Sequence, residues 1–363
     1  MSNNQNTNQE QRIGIVTSIG FANAGTVFQA YALQQYICRI PGFKAYLVNY
    51  VMNAPKFNNI AFAYGYGPLS WAIQAYFHLR TYKYNSFQRK HFELYPTGKP
   101  IKQDKLPTIV NDFDQFILGS DQIWNTKFNH FDKTFFLDFV KGKRKGAYAP
   151  SMGMDDWPEE QKADIKRLLE GFDYVGVREK QSVDVVQPLT DKPVHWSLDP
   201  TFLLDKDDWA KVGRKPKEGE YIFEYCISTN KPIRVATEKL AQMTGLPVIE
   251  YGGARKRVPM AKRMPHPSAD TWLGYMLNAK YVVTDSFHGV AFSVNLNKPF
   301  YAVITGFGSR VRSILDLFGL NDRILKDGTD VDLTKTIDWN SVNQKLNETR
   351  NENREWLAQS LKG

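Results

Sequence analysis

Short apolar runs alternate with segments of helical periodicity along most of the chain. The first run, Ile13–Thr17, predicts a buried strand, and a loop of small residues leads from it to a helix over Thr26–Ile37. Apolar positions of this helix, including Val27 and Leu33, fall on or near one face. Ala45–Tyr50 predicts the next strand, so the segment reads as a βαβ unit with parallel strands.

The same alternation continues to the end of the chain. Further strands are predicted over Phe113–Leu118, Lys145–Ala149, Tyr174–Val177, Tyr221–Ile227, Leu246–Tyr251, Tyr281–Thr284 and Phe300–Ile304. Further helices are predicted over Gln161–Phe172, Ile233–Thr244, Ser268–Ala279, Phe287–Leu296 and Arg310–Phe318. The pattern therefore predicts an α/β protein with two Rossmann-like doubly wound domains.

The stretch from Gln187 to Pro200 is loop-like and predicts the crossover between the domains. We expect a disordered polar tail over residues 1–12 and an N-terminal Rossmann-like domain over 13–190. A C-terminal Rossmann-like domain is expected over 191–335. The last part, 336–363, is charged with sparse apolar positions, which predicts a helix on the surface.

Composition is that of an ordinary globular protein. The 363 residues are 42% hydrophobic and 23% charged, enough for each half to bury a core. The two cysteines, Cys38 and Cys226, lie far apart and near no Cys or His pair, so we expect free thiols rather than a zinc site or a disulfide framework. The first twelve residues contain no apolar core of a signal peptide, and we expect a cytoplasmic protein.

The net charge of +9 is unevenly distributed. Basic residues cluster at Lys141, Lys143, Arg144 and Lys145, and again at Arg255, Lys256, Arg257, Lys262 and Arg263. Such clusters are solvated loops, or they attract phosphate-bearing substrates or an anionic membrane surface. The sequence contains no helix-turn-helix, zinc-finger or RNA-recognition signature, so no nucleic acid partner is expected.

One long uncharged segment, Ile60–Leu79, bears on membrane contact. Its length would suit a membrane span, but glycines, polar residues and Pro68 interrupt it. We expect a buried or lid-forming helix. A patch that contacts the membrane surface peripherally is the alternative.

The turn after the strand Tyr281–Thr284 contains the strongest chemical signal. It holds Asp285, Ser286, His288 and Gly289 at the start of a helix. Ser286 can cap that helix, and the free N–H groups of its first turn can bind an anion. Gly289 would let a ligand approach the backbone, and an imidazole exchanges protons near neutral pH. The alternative is that Ser286 and His288 are ordinary turn residues.

Two arginines also follow predicted strands. Arg178 could bind a carboxylate or phosphate through two parallel hydrogen bonds, or it could pair with Glu179. Arg310 could be a second ligand for an anion, or an exposed residue at a helix start. Because parallel strands collect ligands at their carboxyl ends, we expect Arg178 and His288 to face one cleft.

Other loop residues are candidates for lining this cleft or binding an acceptor. They are Asn23, Gly25, Ser120, Asp121, Ser151 and Asp285. Asp121 could instead cap a turn. No histidines lie at metal-ligand spacing, and the chain lacks both GxGxxG and a complete P-loop, so neither a metal nor a nucleotide cofactor is expected.

Several segments together resemble the polysaccharide pyruvyl transferase family. They are NAGTVFQAYALQQY (23–36), ILGSDQIWN (117–125), FLDFVKGKRKGAYAPSMG (136–153), VREKQS (177–182), SLDPTFLL (197–204), YVVTDSFHGVAFSVNLNKPF (281–300) and SRVRSILDLFGLNDR (309–323). The resemblance implies two Rossmann-like domains arranged as in GT-B glycosyltransferases. It also implies transfer of a pyruvyl group from phosphoenolpyruvate to a sugar, forming a ketal.

The same resemblance implies roles for residues of this chain. His288 and Arg178, together with Arg310, would act on the donor. Ser286 and Gly289, at the helix start, are expected from the turn itself to complete the anion site. The acceptor would be a sugar or lipid-linked saccharide of a cell-surface polysaccharide or exopolysaccharide. No cofactor is implied beyond the donor substrate phosphoenolpyruvate.

Two other functions fit the same residues. A GT-B glycosyltransferase would bind the diphosphate of a nucleotide sugar at the helix start near Ser286, and His288 would be a base or hydrogen-bond donor. A non-catalytic carbohydrate-binding protein would use the basic clusters and the segment Ile60–Leu79 as contact surfaces.

Overall fold

The computed structural model describes residues 10–20, 22–52, 82–228, 231–252, 258, 261–264, 267–304 and 308–363. Two parallel sheets, each covered by helices, make up this part of the chain. The predicted segment Ile60–Leu79 and most of the predicted tail lie outside the described residues. Within the described residues, no helix combines the length and apolar character needed to cross a bilayer.

The first sheet has seven strands in the order β3-β2-β1-β4-β5-β6-β7. Their bounds are β1 Gln11–Val16, β2 Phe43–Val48, β3 Leu94–Tyr95, β4 Gln115–Leu118, β5 Arg144–Ala147, β6 Tyr174–Val177 and β7 Val194–Trp196. All neighbouring pairs are parallel. The central strands are apolar because helices cover both faces of the sheet.

The second sheet has six parallel strands in the order β10-β9-β8-β11-β12-β13. Their bounds are β8 Ile222–Cys226, β9 Val248–Gly252, β10 Lys262–Arg263, β11 Tyr281–Thr284, β12 Phe300–Val303 and β13 Ile324–Leu325. Strand order reverses between β1 and β4 in the first sheet and between β8 and β11 in the second. Loops at such reversals form the ligand crevices of doubly wound sheets.

The connecting helices are α1 Ala24–Ile37, α2 over 82–91, α3 Glu159–Leu169, α4 Lys180–Val186, α5 Lys206–Ala210, α6 Lys231–Thr244, α7 Ala269–Asn278, α8 Phe287–Asn295, α9 Ser309–Phe318 and α10 Trp339–Lys362. Short 3₁₀ segments lie at Gln103–Asp112, Lys133–Phe136, Gln187–Leu189, Pro200–Phe202 and Asn321–Arg323. The predicted α/β class is therefore confirmed, with most helices and strands within a few residues of their expected bounds.

Helix α1 is buried on more than the one face that its sequence suggests. Phe28 is fully buried, and its ring lies 5.4 Å from that of Trp209, 5.9 Å from that of Trp272 and 5.5 Å from that of Phe292. Since Trp272 and Phe292 belong to α7 and α8, the helix packs against the second domain as well as the first sheet. One continuous apolar core therefore joins the two domains.

Helix α10 is also more than a surface helix. Its buried positions follow a helical repeat and are Val342, Leu346, Arg350, Asn353, Leu357 and Leu361. Trp356 stacks on His195 at 4.4 Å between ring centroids, and Gln115 donates to the Leu361 carbonyl at 3.0 Å. The last helix therefore packs against the first domain. The expectation of a surface helix was wrong for this stripe of residues, because sparse apolar positions were enough to form a buried face.

Two predicted domain bounds need correction. The first strand begins at Gln11, so the polar tail ends before residue 12. The boundary between 190 and 191 is wrong because β7 pairs with β6 in the first sheet, with Val177 opposite Trp196. This strand is only three residues long and lies at the sheet edge, and the loop-like composition around it concealed it.

Candidate active site

Loops at the carboxyl ends of the first sheet are tied together by hydrogen bonds. Thr17, after β1, donates to the carbonyl of Ser120, after β4, at 2.9 Å. Arg178 follows β6 directly, and Asp199 follows β7 after two residues. The parallel topology thus brings polar side chains from four strand ends to one edge of the sheet.

Asp199 is the centre of this cluster. Its Oδ2 accepts from Arg178 Nη1 at 3.0 Å and from Ser120 Oγ at 3.2 Å. His288 Nε2, from the second domain, lies 3.5 Å from the same oxygen. The Arg178 and Asp199 side chains are 1% and 0% exposed. Arg178 and His288, which were expected to face one cleft, thus both contact the carboxylate of Asp199.

Charge stabilises Asp199 in its ionised form. Burial alone would raise its pKa, but the neighbouring His288 and Arg178 and a backbone N–H of Thr201 lower it, and the pKa is held well below its usual range. Asp199 is therefore a buried anion at any pH near neutrality. It balances the charge that Arg178 carries and that His288 carries when protonated.

Arg178 forms the pair with Glu179 that was one of its two expected roles. Its Nε donates to Glu179 at 3.1 Å, and its guanidinium lies 4.2 Å from the centroid of the Phe287 ring. Burial lowers its pKa, but the carboxylates of Glu179, Asp199 and Asp121 together raise the pKa by more than burial lowers it, so the net shift is upward. Its Nη2 is buried and has no hydrogen-bond partner within the described residues.

Arg310 lies within electrostatic range of this arginine. Burial lowers the pKa of Arg310, the charge of Arg178 lowers it further, and Glu179 and Asp121 oppose the shift. No ion pair of Arg310 forms with any residue in the described part of the chain. A guanidinium group whose pKa is lowered by a second guanidinium group favours binding of an anion beside it.

His288 can pack against the first domain because Gly25 has no side chain. A Cβ at Gly25 would lie 2.0 Å from His288 Nδ1. Asn23 fixes the same turn, since its Oδ1 accepts from the Gly25 N–H at 2.9 Å and caps α1. Asn23 and Gly25 therefore position the imidazole. His288 Nε2 is buried and faces the Asp199 carboxylate at 3.5 Å, an ion-pair contact rather than a hydrogen bond.

The structure gives other roles to three residues around the α8 turn. Ser286 occupies the N-cap position, but its side chain makes no capping hydrogen bond. Gly289 makes room for a strand residue rather than a ligand, because a Cβ there would lie 2.2 Å from Thr284 Oγ1. Asp285 binds the backbone after β8: its oxygens accept from the N–H groups of Ile227 at 2.7 Å and Ser228 at 3.0 Å.

The remaining candidates lie beside the cluster. Asp121 adopts a left-handed backbone with φ 71°, and its Oδ2 accepts from Thr26 Oγ1 at 2.6 Å. It therefore joins the loop after β4 to the first turn of α1. Ser151 donates its N–H to the Asp121 carbonyl at 2.8 Å, while its buried Oγ has no partner among the described residues. Buried polar atoms normally have partners, so the unpaired Oγ of Ser151 and Nη2 of Arg178 indicate room for a ligand or water.

Sequence reasoning did not identify Asp199 as a site residue. It lies in the SLDPTFLL segment, but the short edge strand before it looked like loop. Recognising β7 would have placed Asp199 at a strand end like Arg178.

Of the first basic cluster, Lys145 is buried and Arg144 donates to the Ser360 carbonyl at 2.8 Å, so part of it is structural. Residues 255–257 of the second cluster lie outside the described residues. In the described part of the chain, no group of three or more His, Cys, Asp or Glu side chains could hold a metal ion.

Comparison with known proteins gives one family. The family model described as polysaccharide pyruvyl transferase matches residues 23–306, which include the cluster around Asp199 and the α8 turn. A search of curated proteins returned no match.

Solved structures resemble the fold at low identity. A protein from Listeria monocytogenes named as a UDP-N-acetylglucosamine 2-epimerase is 10% identical, with a TM-score of 0.50 over 97% of this chain and 91% of that chain. The UDP-GlcNAc 2-epimerase from Neisseria meningitidis bound to UDP-GlcNAc is 9% identical, with a TM-score of 0.49 over 96% and 99%. The E. coli heptosyltransferase WaaC with ADP-2-deoxy-2-fluoro heptose is 15% identical, with a TM-score of 0.39 over 82% and 91%. The likeness to the first of these supports the two-domain, GT-B-like fold alone.

Proposed function

Since the chain belongs to the polysaccharide pyruvyl transferase family, we propose that it transfers a pyruvyl group from phosphoenolpyruvate to a sugar of a cell-surface polysaccharide or its precursor. The product is a cyclic ketal. The observation that best supports this proposal is the unpaired, buried Nη2 of Arg178 beside Arg310 and His288.

Phosphoenolpyruvate matches the charges of this cluster. It is a small molecule with a carboxylate and a phosphate, and guanidinium groups bind both through paired hydrogen bonds. Arg178 already has two carboxylate neighbours, Glu179 and Asp199, which hold its side chain in place. Its free Nη2 and the whole of Arg310 are then available for the donor. A bound anion would also relieve the repulsion between the two arginines.

His288 is the proposed proton donor. Protonation of the methylene carbon converts it to a methyl group and makes the adjacent carbon electrophilic. One sugar hydroxyl attacks that carbon, phosphate leaves, and a second hydroxyl closes the ring. Of the two hydroxyl protons, one replaces the proton that His288 gave to carbon and the other leaves with phosphate. Asp199 would balance the charge of the protonated imidazole throughout, and such acid catalysis contributes roughly 10²–10⁴-fold.

Two conservative variants separate these roles. We expect His288→Gln to lower the turnover of phosphoenolpyruvate by roughly 10²–10⁴-fold while binding of the donor changes little, because Gln cannot exchange a proton near neutral pH. We expect Arg178→Lys to raise the donor concentration needed, because an ammonium group cannot form the paired contact. Phosphate release in the presence of saccharide acceptors measures the first effect, and calorimetric titration with phosphoenolpyruvate measures the second.

Matched controls keep these measurements specific. His130→Gln changes an exposed histidine, and Arg167→Lys changes an exposed arginine of α3. Both controls should bind and turn over phosphoenolpyruvate as the wild type does. Donor binding also stabilises the native state by mass action, so thermal unfolding gives a second reading. If a nucleotide sugar stabilises the protein and phosphoenolpyruvate does not, the glycosyltransferase function replaces this proposal.

A further inference from the structure

A cavity lies between one helix of each domain, beside Arg178 and Arg310, which are called the arginine cluster below. Its volume is about 630 Å³, and its walls come from α4 of the first domain and α9 of the second. Ser313 of α9 donates to Gln181 of α4 at 3.3 Å, so the two walls are connected across the domain interface. Its size is within the range of small-molecule sites in proteins.

An aromatic side chain forms part of the cavity wall. Trp196, the last residue of β7, is half-buried and borders the cavity. Its indole Nε1 donates to the carbonyl of Arg178 at 3.1 Å, which fixes the ring relative to the strand end. The ammonium group of Lys180, a flexible and exposed side chain, lies 5.8 Å from the ring centroid. A fixed aromatic ring beside movable polar groups suits the apolar face of a pyranose.

The charges around the cavity cancel. Two cations, Lys180 and Arg312, and two carboxylates, Asp184 and Asp316, line it. Asp316 accepts from Asn321 at 2.7 Å, whereas no ion pair of Lys180, Asp184 or Arg312 forms within the described residues. The cavity therefore offers hydrogen-bond donors and acceptors, and the formal charges of its lining side chains sum to zero. This differs from the arginine cluster, which selects an anion.

The cavity is next to the donor-binding residues in both domains. Helix α4 begins two residues after Arg178, and Arg310 is the second residue of α9. We propose that this cavity binds an uncharged hexose unit of the acceptor saccharide, with Trp196 against the sugar face and Asp184, Gln181 and Arg312 on its hydroxyls. This inference rests on the proposed function, and it names the acceptor class for the same site.

Binding measured without donor tests the inference. The probes are lactose, maltose, cellobiose and the p-nitrophenyl β-glycosides of glucose, galactose and N-acetylglucosamine, titrated against the full chain by ligand-observed NMR and calorimetry. We expect at least one to bind the wild type. Trp196→Ala and the double variant Asp184→Ala/Arg312→Ala should each weaken that probe by about tenfold or more, because a ring contact and hydrogen bonds are lost.

Controls address folding and charge. Arg167→Ala removes an exposed arginine from another helix and should leave saccharide binding unchanged. The double variant changes two exposed side chains, so it should unfold like the wild type even if Trp196→Ala does not. Galactose 1-phosphate should bind no more tightly than the uncharged probes. Absence of binding by every probe, unchanged binding in both variants, or a tenfold preference for the sugar phosphate would each overturn the inference.

Binding of saccharides and binding of phosphoenolpyruvate are measured separately, so the cavity assignment and the proposed reaction can fail independently. If a neutral probe binds through Trp196 while phosphoenolpyruvate does not bind at all, the cavity is a saccharide site and the proposed reaction is wrong. If phosphoenolpyruvate binds through Arg178 and no saccharide binds, the proposed reaction stands and the cavity assignment is wrong.

Discussion

Two buried carboxylates, one in each domain, have opposite electrostatic surroundings. Asp199 follows β7 of the first sheet and lies against Arg178 and His288, and its pKa is held well below the usual range. Glu224 lies within β8 of the second sheet, where its pKa is raised to about 7, mainly by burial and also by the neighbouring Glu250 and Asp285, against a hydrogen bond from Thr237 that lowers it. Burial therefore leaves an anion at Asp199 and an acid that keeps its proton up to about pH 7 at Glu224.

The two pKa shifts have opposite directions because the neighbouring charges differ, since both side chains are buried. Glu224 pairs in register with Glu250 on β9, and no ion pair of Glu224 with a cation occurs among the described residues. Asp199 instead contacts one cation from its own domain and one ionisable ring from the other. A charged carboxylate is kept in the interior only where cations surround it, which is also where a charged substrate can be recognised.

Removing the Asp199 charge should have the largest effect. Asp199→Asn leaves Arg178 buried with one carboxylate fewer and removes the charge facing His288, so we expect the free energy of unfolding at pH 7 to fall by about 3–5 kcal/mol. Denaturant unfolding measures this loss. Asp207→Asn, at an exposed aspartate of α5, is the matched control and should change stability by less than about 0.5 kcal/mol.

The pH dependence of the same variant sharpens the test. Because the folded-state pKa of Asp199 is lowered, its stabilising contribution is present above the unfolded value of 3.8 and is lost as pH falls through the folded value. Wild type and Asp199→Asn should therefore differ most near neutral pH and converge in acid. An equal difference at every pH would mean that packing, rather than charge, accounts for the loss.

Glu224→Gln should act in the opposite direction. The native state holds a proton on Glu224 that the unfolded chain releases above pH 4.5, so wild-type stability falls as pH rises from about 4.5 through about 7. The amide cannot ionise, and above pH 7 the variant should be more stable than the wild type by roughly 3 kcal/mol. Thermal and denaturant unfolding at pH 5 and pH 8 measure the gap. A variant less stable than the wild type at pH 8 would contradict this account of Glu224.

Gly25→Ala should weaken the contact between His288 and Asp199 by moving His288. The added Cβ would lie 2.0 Å from Nδ1, so either the imidazole or α1 must shift. We expect a loss of about 1–3 kcal/mol in stability, typical of overpacking, together with a fall in turnover. Gly219→Ala, at a glycine with nothing within 4 Å of the added Cβ, is the control. Wild-type turnover in Gly25→Ala would mean that the position of His288 is not critical.

Much of the fold could be predicted from sequence because periodicity reports burial directly. Strands β6 and β11 match their predicted bounds, since each is an uninterrupted apolar run with a turn on both sides. Strands β3, β10 and β13 were missed because two residues contain no period to detect. The burial of α1 on several faces depends on Phe28 meeting the second domain, and no local pattern states which surface a distant helix will cover.

The site was predictable to the extent that its residues follow strands. Arg178 was identified because it comes directly after a clear strand, and His288 because it lies at the helix start that follows another. Asp199 was hidden behind an edge strand of three residues. The roles of glycines were harder to assign. Gly25 and Gly289 serve close packing against His288 and Thr284, and such contacts depend on a three-dimensional arrangement that spacing along the chain does not encode.

Helix α10 also has a consequence for how the chain folds during synthesis. The first sheet is complete once Trp196 has left the ribosome, yet Trp356 and Leu361 pack on it about 160 positions later. Tyr174 and Gly176 of β6 are covered by Trp356, and that surface stays open to water until α10 emerges. The first domain is thus finished by residues made about 160 positions after its last strand. Such long-range contacts slow folding and leave an apolar surface in need of protection meanwhile.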